Sequence, residues 1–377
     1  MVNHARAIPA RAASMGFVRP FADADIPAVA RLHETVFNTS ARAESAGQAN
    51  YHAYFRDVFL RGPSQDPALP SLVYQESTGA VSGFLGVVPR RLTMNQRPFQ
   101  AVISSQFVVD PASRVALVAV ALVKAFLEGP QDVSISDEAT DTSRRIWEAL
   151  GGTTALLHSL HWTRPLRPAR FALSLMRERS PLRALAAAAG PFALAFDAVA
   201  TRVPQSHLYQ MKPGVSAVDD LTEHTVLAYE PTFVRTGSLR VEYDEATLRW
   251  VMKRARGRRA ADDFRSAVIR NDHRIIGWYL FHLDRAGIAH VLQIAADPAG
   301  IGDVLDHLFY QAAEQGAVAV QGRLDPRFLQ VLSDKYCVMH RRGPWFLLNA
   351  RRAELLRPFE SGDAVFSRLD GEWALGF

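Results

Sequence analysis

One stretch of the chain, Gln100–Asp137, has the pattern of a complete β-α-β unit. An apolar run of strand length ends at an Asp-Pro-Ala-Ser corner, an apolar helical run follows, and a Gly-Pro break precedes a second apolar run. The predicted bounds are Ala101–Val109 for the first strand, Asp110–Ser113 for the corner, Arg114–Glu128 for the helix and Val133–Asp137 for the second strand. Pro111 cannot continue a strand ladder, and Ser113 is predicted to cap the helix. The open amides of such a helix start, at the carboxyl end of a strand, are where α/β proteins collect anionic ligands.

The unit recurs 187 residues later, where Asp297-Pro298-Ala299 repeats Asp110-Pro111-Ala112 between an apolar strand and a helix. The repeated elements of the second copy are the hairpin Ser266–Leu283, the strand Ile288–Ala296, the helix Ile301–Gln315, the strand Ala317–Arg323 and the helix Arg327–Tyr336. Chance can supply one Asp-Pro corner but hardly five elements in one order. We therefore predict two copies of one α/β domain.

The length of 377 residues fits two domains of ordinary size better than one core. We expect an α/β fold of mixed α+β type, with two tandem domains that each hold a mixed central sheet flanked by helices. The predicted divisions are a flexible tail over 1–16, domains over 17–164 and 213–350, a helical linker over 165–212 and an extension over 351–377. The first copy is predicted to close with a strand over Ala155–Trp162 and the second with a strand over Pro344–Asn349.

The composition is that of a globular protein, with 48% apolar and 21% charged residues. The single cysteine, Cys337, excludes an intrachain disulfide and is compatible with a reducing compartment, so a cytoplasmic location is expected. Met1–Met15 lacks the continuous apolar core of a signal peptide. The alanine-rich run Ala184–Phe196 is shorter than the roughly 20 apolar residues that span a bilayer, so no transmembrane segment is expected.

Two stretches are rich in basic residues, Arg144–Arg183 and Lys253–Arg259. They are explained either as solvated helix ends and linkers or as a surface that attracts an anionic ligand, such as a phosphorylated cofactor, a nucleotide-linked sugar or RNA. No aromatic residue interrupts Lys253–Arg259, so a groove for single-stranded nucleic acid is not supported. The helical stretch Arg177–Ala200 could cover an apolar face of either domain or lie along a membrane surface. Its thin polar face favours the first role.

The element order resembles that of the GNAT superfamily of CoA-dependent N-acyltransferases: strand, two helices, hairpin, long strand, corner, helix, strand, helix, strand. Val108–Arg114 is similar to the "V-x-P-x-x-R" lead into the pyrophosphate loop of that superfamily. Asp137-Glu138-Ala139, followed by the helix Ser143–Leu150 and Gly151-Gly152, resembles its closing "N-x-x-A … L-G-F" segment. The resemblance covers both halves of the chain, 17–164 and 216–349.

This resemblance implies acetyl-CoA or another acyl-CoA as co-substrate, a small-molecule or sugar amine as acceptor, and no metal. In the first copy the implied donor-binding residues are Val108, Val109, Arg114, Val115, Ala116 and Leu117. In the second copy they are Gly300 and Gly302, but the arginine is missing, and Asp297 and Asp303 beside the loop would repel a diphosphate. We therefore expect the cofactor in the first copy, although that copy lacks the glycines that normally follow the arginine.

Acid–base chemistry needs a group other than the tyrosine that commonly protonates the leaving thiolate in this superfamily, because that position falls near Trp147. Candidates near the carboxyl ends of the central strands are Asp110, Asp137, Glu138 and His158. Each has a structural alternative: the aspartates as turn caps, Glu138 as a solvated carboxylate and His158 as a core side chain. His158 and His161 would point to opposite faces of a strand, so no metal site is predicted.

The leading hypothesis is a GNAT-like acyltransferase whose acyl-CoA lies against the fourth strand, with the thioester carbonyl polarised by a strand amide near Val108. One alternative is an aminoacyl-tRNA-dependent transferase similar to the Fem-type peptidyltransferases, which also pair two such domains and would bind tRNA through the basic stretches. Nucleic acid is otherwise not expected as a partner. The other alternative is a non-catalytic binding protein of the same fold.

Overall fold

The computed structural model of the protein describes residues 16–37, 46–177, 188–203, 206–235, 237–257 and 263–376. These residues form two mixed β-sheets flanked by helices. The predicted class, α/β with two mixed central sheets, is confirmed.

The strands alternate with short connections and helices along the chain. They are β1 (Phe17–Pro20), β2 (Leu72–Gln75), β3 (Val81–Met94), β4 (Arg97–Val109), β5 (Val133–Ala139), β6 (Thr153–Thr154), β7 (His161–Pro165), β8 (Ser216–Asp219), β9 (Leu239–Val241), β10 (Asp263–Asn271), β11 (Arg274–Leu283), β12 (Ile288–Ala296), β13 (Ala319–Arg323), β14 (Val338–His340), β15 (Trp345–Ala350) and β16 (Ala364–Val365). The helices are α1 (Ile26–Phe37), α2 (Ala46–Phe59), α3 (Val115–Leu127), α4 (Asp141–Ala149), α5 (Pro168–Arg177), α6 (Gly190–Ala200), α7 (Glu223–Phe233), α8 (Glu245–Gly257), α9 (Ile301–Glu314), α10 (Leu329–Asp334), α11 (Arg357–Ser361) and α12 (Glu372–Leu375).

Each sheet is built around one parallel pair at its centre. The first sheet has the order β1-β2-β3-β4-β5-β15-β6, and β4 and β5 run parallel with α3 as their crossover. The second has the order β14-β7-β13-β12-β11-β10-β8, and β12 and β13 run parallel with α9 between them. The β-α-β unit read from the sequence, and its repeat, therefore form the centres of the two sheets.

The two halves of the chain exchange their closing strands, and β9 of the second half also pairs with β3 of the first sheet. β15, which closes the second copy, lies between β5 and β6 of the first sheet. β7, which ends the first copy, lies between β13 and β14 of the second sheet. The expected strand over Ala155–Trp162 is instead a 3-10 turn followed by β7, and neither closing strand stays with its own copy. Apolar patterning identifies a strand but not its partner, so the exchange could not be read from sequence.

The C-terminal segment 351–376 begins at the surface and, from Ala364 onward, is largely buried where the two sheets meet. Leu369, Ala374 and Leu375 are inaccessible to solvent. The carbonyl of Leu375 accepts a hydrogen bond from the Tyr54 hydroxyl in α2 (2.9 Å), and the Asp370 carboxylate accepts one from the Tyr243 hydroxyl (2.8 Å). This part of the segment therefore belongs to the shared core rather than to the surface.

Because the exchanged strands tie the sheets together, we predict that the protein unfolds in a single transition. Phe346 in β15 is fully buried against the rings of His158, Phe359 and Phe366, so Phe346→Ala should cost about 3–5 kcal/mol of unfolding free energy. Urea titration followed by tryptophan fluorescence and far-ultraviolet circular dichroism should give coincident curves that shift together. Two separable transitions, of which only one moved, would contradict the prediction.

Candidate functional site

The first sheet opens between its two parallel strands. β4 and β5 pair only where Ala101–Ile103 lies beside Val133–Ile135, and no pair joins them beyond those residues. A β-bulge in β4 sharpens the divergence, because Gln106 and Phe107 together oppose Leu85 of β3. Gln106 adopts a left-handed backbone conformation, with φ of 54°. Beyond the paired residues the facing edges of the two strands are not paired with each other, and the amide of Gln106 in this edge donates to Glu372.

The corner after β4 is held by Asp110. Its side chain accepts from the amide of Ala112 (2.8 Å), and its carbonyl accepts from the amide of Ser113 (3.0 Å). The Ser113 hydroxyl turns back and donates to the same carbonyl (2.7 Å), and α3 starts without a side-chain cap. The prediction that Ser113 caps the helix is therefore wrong, because its hydroxyl closes the corner instead.

The first turn of α3 is open to solvent. Among the described residues, no protein group accepts a hydrogen bond from the amides of Ala116 and Leu117. Val115 and Leu117 are 45% and 38% exposed, so their side chains do not plug the junction, and Arg114 is exposed beside them. A helix amino terminus with free amides and a neighbouring guanidinium attracts an anion.

A cavity of about 440 Å³ lies in the opening between β4 and β5. Its walls come from α1, α2, β4, β5, α4 and α12, and include His33, Gln106, Ser136, Glu138, Trp147 and Glu372. Trp147 is buried in α4. It lies near the position at which the superfamily resemblance would place a tyrosine acid. The cavity and the open turn of α3 lie at the same end of β4.

The predicted pair Asp137 and Glu138 lies at this end of β5, with different surroundings. Asp137 is fully buried and accepts from Arg323 Nη1 (2.8 Å) and from the amide of Glu372 (2.7 Å). Glu138 lines the cavity and is paired with Arg323 (3.1 Å) and Arg368 (3.4 Å). Asp137 therefore joins the two halves, whereas the Glu138 side chain lies on the cavity wall.

His158, the third predicted catalytic residue, lies outside this cavity. Its ring packs between Phe346 and Phe359, and its Nε2 atom lies 3.0 Å from the carbonyl of Ala364. Burial lowers the pKa of His158, which keeps the ring neutral. This placement matches its structural alternative, a core side chain, and gives the catalytic role no geometric support.

Two residues of the cavity, His33 and Glu372, were not predicted from the sequence. His33 in α1 is 5% exposed and hydrogen-bonds through Nε2 to the side chain of Gln106; burial lowers its pKa and this bond partly opposes the effect. Glu372 in α12 accepts from the backbone amide of Gln106 (2.9 Å). A polar residue on the buried face of α1 was the only sequence signal for His33. Nothing local marks Glu372, which lies 266 residues from its partner.

No protein family model matches the sequence, and no curated protein matches it. Solved structures do match. A GCN5-related N-acetyltransferase from Anabaena variabilis superposes with a TM-score of 0.57 at 11% identity, covering 90% of this chain and 73% of the other. The chain has the GNAT fold. A GCN5-related N-acetyltransferase from Kribbella flavida gives 0.51 at 13% identity (92% and 72% covered), and the Saccharomyces cerevisiae N-myristoyltransferase with bound myristoyl-CoA gives 0.50 at 12% (92% and 81%). At these identities the likeness is one of fold alone.

The second GNAT-like domain carries the same opening, but its own chain fills it. β12 and β13 pair only over three residues, and the C-terminal segment enters beyond them, where the amide of Leu369 donates to the carbonyl of Leu292 (3.3 Å). A space of about 50 Å³ is left. The predicted residues Gly300 and Gly302 do lie at the start of α9, beside Asp303 and the ion pair of Asp297 with Arg274. Among the described residues, the opening beside the parallel pair therefore holds a cavity of ligand size in the first GNAT-like domain and not in the second.

Several described arginines of the basic stretches are engaged in structural contacts. Arg144 pairs with Glu148 and stacks on Trp345, and Arg164 and Arg167 donate to backbone carbonyls. Arg254 pairs with Asp57. Arg179, Arg183, Arg258 and Arg259 lie outside the described residues. These contacts favour the explanation in terms of structural helix ends over a tRNA-binding surface.

Two features are absent from the part of the chain that the structure describes. No group of three or more histidine, cysteine or carboxylate side chains there is arranged to hold a metal ion. None of the helices in the same part of the chain is both long enough and apolar enough to cross a bilayer.

The buried pair of Arg323 and Asp137 should contribute strongly to stability. Arg323→Leu leaves the fully buried Asp137 carboxylate without its cation, so we expect a loss of about 3–5 kcal/mol in unfolding free energy by urea titration. Arg249→Leu is the control, because Arg249 pairs with Glu245 on the surface of α8, where such a pair contributes less than about 1 kcal/mol. Equal effects of the two substitutions would show that the buried pair has no special role.

Proposed function

We propose that this protein transfers an acyl group from an acyl-CoA to an amine, with the reaction in the first GNAT-like domain. The observation that carries the proposal is the divergence of β4 from β5, with open amides at the start of α3 on one side and a carboxylate-bearing cavity of about 440 Å³ on the other. The second domain, whose opening is filled, serves as scaffold.

The donor would use two features of this opening. The diphosphate of CoA would meet the amides of Ala116 and Leu117 beside Arg114, where the helix dipole and the guanidinium both favour negative charge. The pantetheine arm carries two amides and can bind the unpaired edge of β4 as an added strand does. The residues Val108 and Val109 end that strand, as the sequence analysis expected. Acetyl-CoA is the simplest donor to test.

The cavity would hold the acceptor close to the thioester. Its carboxylates, Glu138 and Glu372, attract an amine in its ammonium form. A cavity carboxylate, Glu138 or Glu372, takes one proton from the ammonium and leaves a neutral amine. The amine nitrogen attacks the thioester carbonyl, the carbon–sulfur bond breaks, and the second proton that the nitrogen loses passes to the departing sulfur, so that CoA leaves as the thiol. Holding the two reactants in this geometry supplies most of the acceleration.

The donor site is tested by Ala116→Asp, which places a carboxylate in the first turn of α3. Because that charge repels a diphosphate but suits a helix start, we expect roughly tenfold weaker binding of acetyl-CoA without loss of stability. Isothermal titration calorimetry and thermal melting measure the two effects. Asp303→Ala, at the place 187 residues later in α9, is the matched control and should leave binding unchanged. Absence of any heat with the unmodified protein would overturn the proposal.

The acceptor side is tested by Glu138→Gln and Glu372→Gln. The variant that removes the proton acceptor should lower kcat by about a hundredfold or more while the affinity for acetyl-CoA stays the same. Release of the CoA thiol, followed with a chromogenic disulfide and a panel of amino sugars and small amines, reports the rate. Glu360→Gln, an exposed change in the same C-terminal segment, should have no effect. Full activity in both cavity variants would show that neither carboxylate takes the proton.

A further inference from the structure

Helices α5 and α6 form a hairpin outside both sheets. α5 docks on the second sheet, where Phe171 packs on Ile288 and Val318, and Arg167 donates to carbonyls at the end of α9. α6 rests on α5, because the buried Asp197 carboxylate accepts from the amides of Ala169 and Arg170 (both 3.0 Å) at the start of α5. Leu173 and Ala193 complete this contact. The hairpin is therefore fixed to the protein through α5, and α6 forms its outer layer.

The outward surface of α6 is entirely apolar. Phe192 is 79% exposed, Leu194 55%, Phe196 59% and Val199 66%. The other exposed positions of the helix are Pro191, Ala195 and Ala198, and its one charged residue, Asp197, faces α5. The four large side chains alone expose on the order of 400 Å² of apolar surface. A patch of this size on one short helix marks a surface that another body covers.

The stretch of sequence that contains both helices is also positively charged. By sequence, Pro168–Val203 contains five arginines and two acids, a net charge of +3 in a chain whose total is +5. One of the acids is Asp197, whose carboxylate is engaged as the cap of α5. Arg202 is exposed immediately after α6, and Arg170 is half-buried in α5. Arg202 thus places a positive charge just beyond the end of the exposed apolar helix α6.

We propose that this hairpin binds the surface of an anionic lipid bilayer, with α6 lying in the plane of the interface. Its eleven residues span about 16 Å, about half of the roughly 30 Å hydrocarbon core, so α6 can lie along a membrane but not cross it. The phenylalanines and valine enter the acyl boundary while the arginines meet lipid phosphates. On sequence alone a membrane-surface role is disfavoured, because the polar face of this stretch is thin. In the structure, α5 and the second domain supply the polar side that α6 itself lacks. A second copy of the chain is a poorer occupant, because pairing two hairpins would bring their positive charges together.

The full-length protein should sediment with small vesicles of phosphatidylcholine and phosphatidylglycerol at about 0.05 M NaCl, and much less with phosphatidylcholine alone or at about 0.5 M NaCl. The double variant Phe192→Ser with Phe196→Ser should lower the partition coefficient by roughly tenfold or more. Arg202→Glu should lower it severalfold and reduce the salt dependence.

The matched control is Phe17→Ser with Leu156→Ser, which removes two large side chains, 57% and 65% exposed, at other places on the surface. It should bind vesicles as the unmodified protein does. Exposed changes of this kind leave the core intact, and thermal melting checks this for both double variants. Absence of binding to anionic vesicles, or equal binding of the two double variants, overturns the proposal. A second result would also overturn the proposal: no binding to vesicles, together with a dimer in light scattering that the double variant in α6 dissociates. That result would assign the apolar surface to a second copy of the chain.

Discussion

The mutual exchange of β7 and β15 is the constraint on which the rest of this structure depends. Each sheet is completed by backbone hydrogen bonds to a strand from the other half, as where Leu348 lies beside Ile135 and Val320 beside Arg164. Such ladders fix the relative position of the two halves far more strictly than a surface interface of side chains. The exchange also places the chain that leaves β15 next to the openings of both sheets.

The C-terminal segment uses that position to connect the two openings. It fills the second opening at Leu369 and reaches the first, three residues later, at Glu372. The buried Arg323 at the end of β13 crosses between the halves and donates to Asp137 at the end of β5, which also accepts from the amide of Glu372. The second half therefore helps to determine where the carboxylates of the first cavity lie. A domain whose own opening is filled still shapes the site.

The two halves share a fold but not a surface. Asp110 and Asp297 hold their corners in the same way, by accepting from the amide two residues later (2.8 and 3.0 Å). Beyond the corners they differ, because α3 begins with exposed apolar residues and free amides, whereas α9 begins beside two carboxylates. The spaces of about 440 and 50 Å³ express the same difference. The two corners share a backbone path, and the side chains and the C-terminal segment make the two openings differ in size.

The sequence by itself determined the β-α-β units, their repetition and the α/β class, because apolar periodicity and Pro or Gly punctuation act over a few neighbouring residues. It also led to Glu138 and to the open start of α3, which follow directly from strand ends. Only the tertiary structure decided the strand exchange, the burial of Asp137 against Arg323, and the meeting of His33 and Glu372 at Gln106 across 73 and 266 residues. Those outcomes depend on which surfaces meet after the chain has collapsed, and a local pattern is compatible with several partners. Ser113 shows the same limit on a small scale: its hydroxyl had two available roles, and the closed corner selected one.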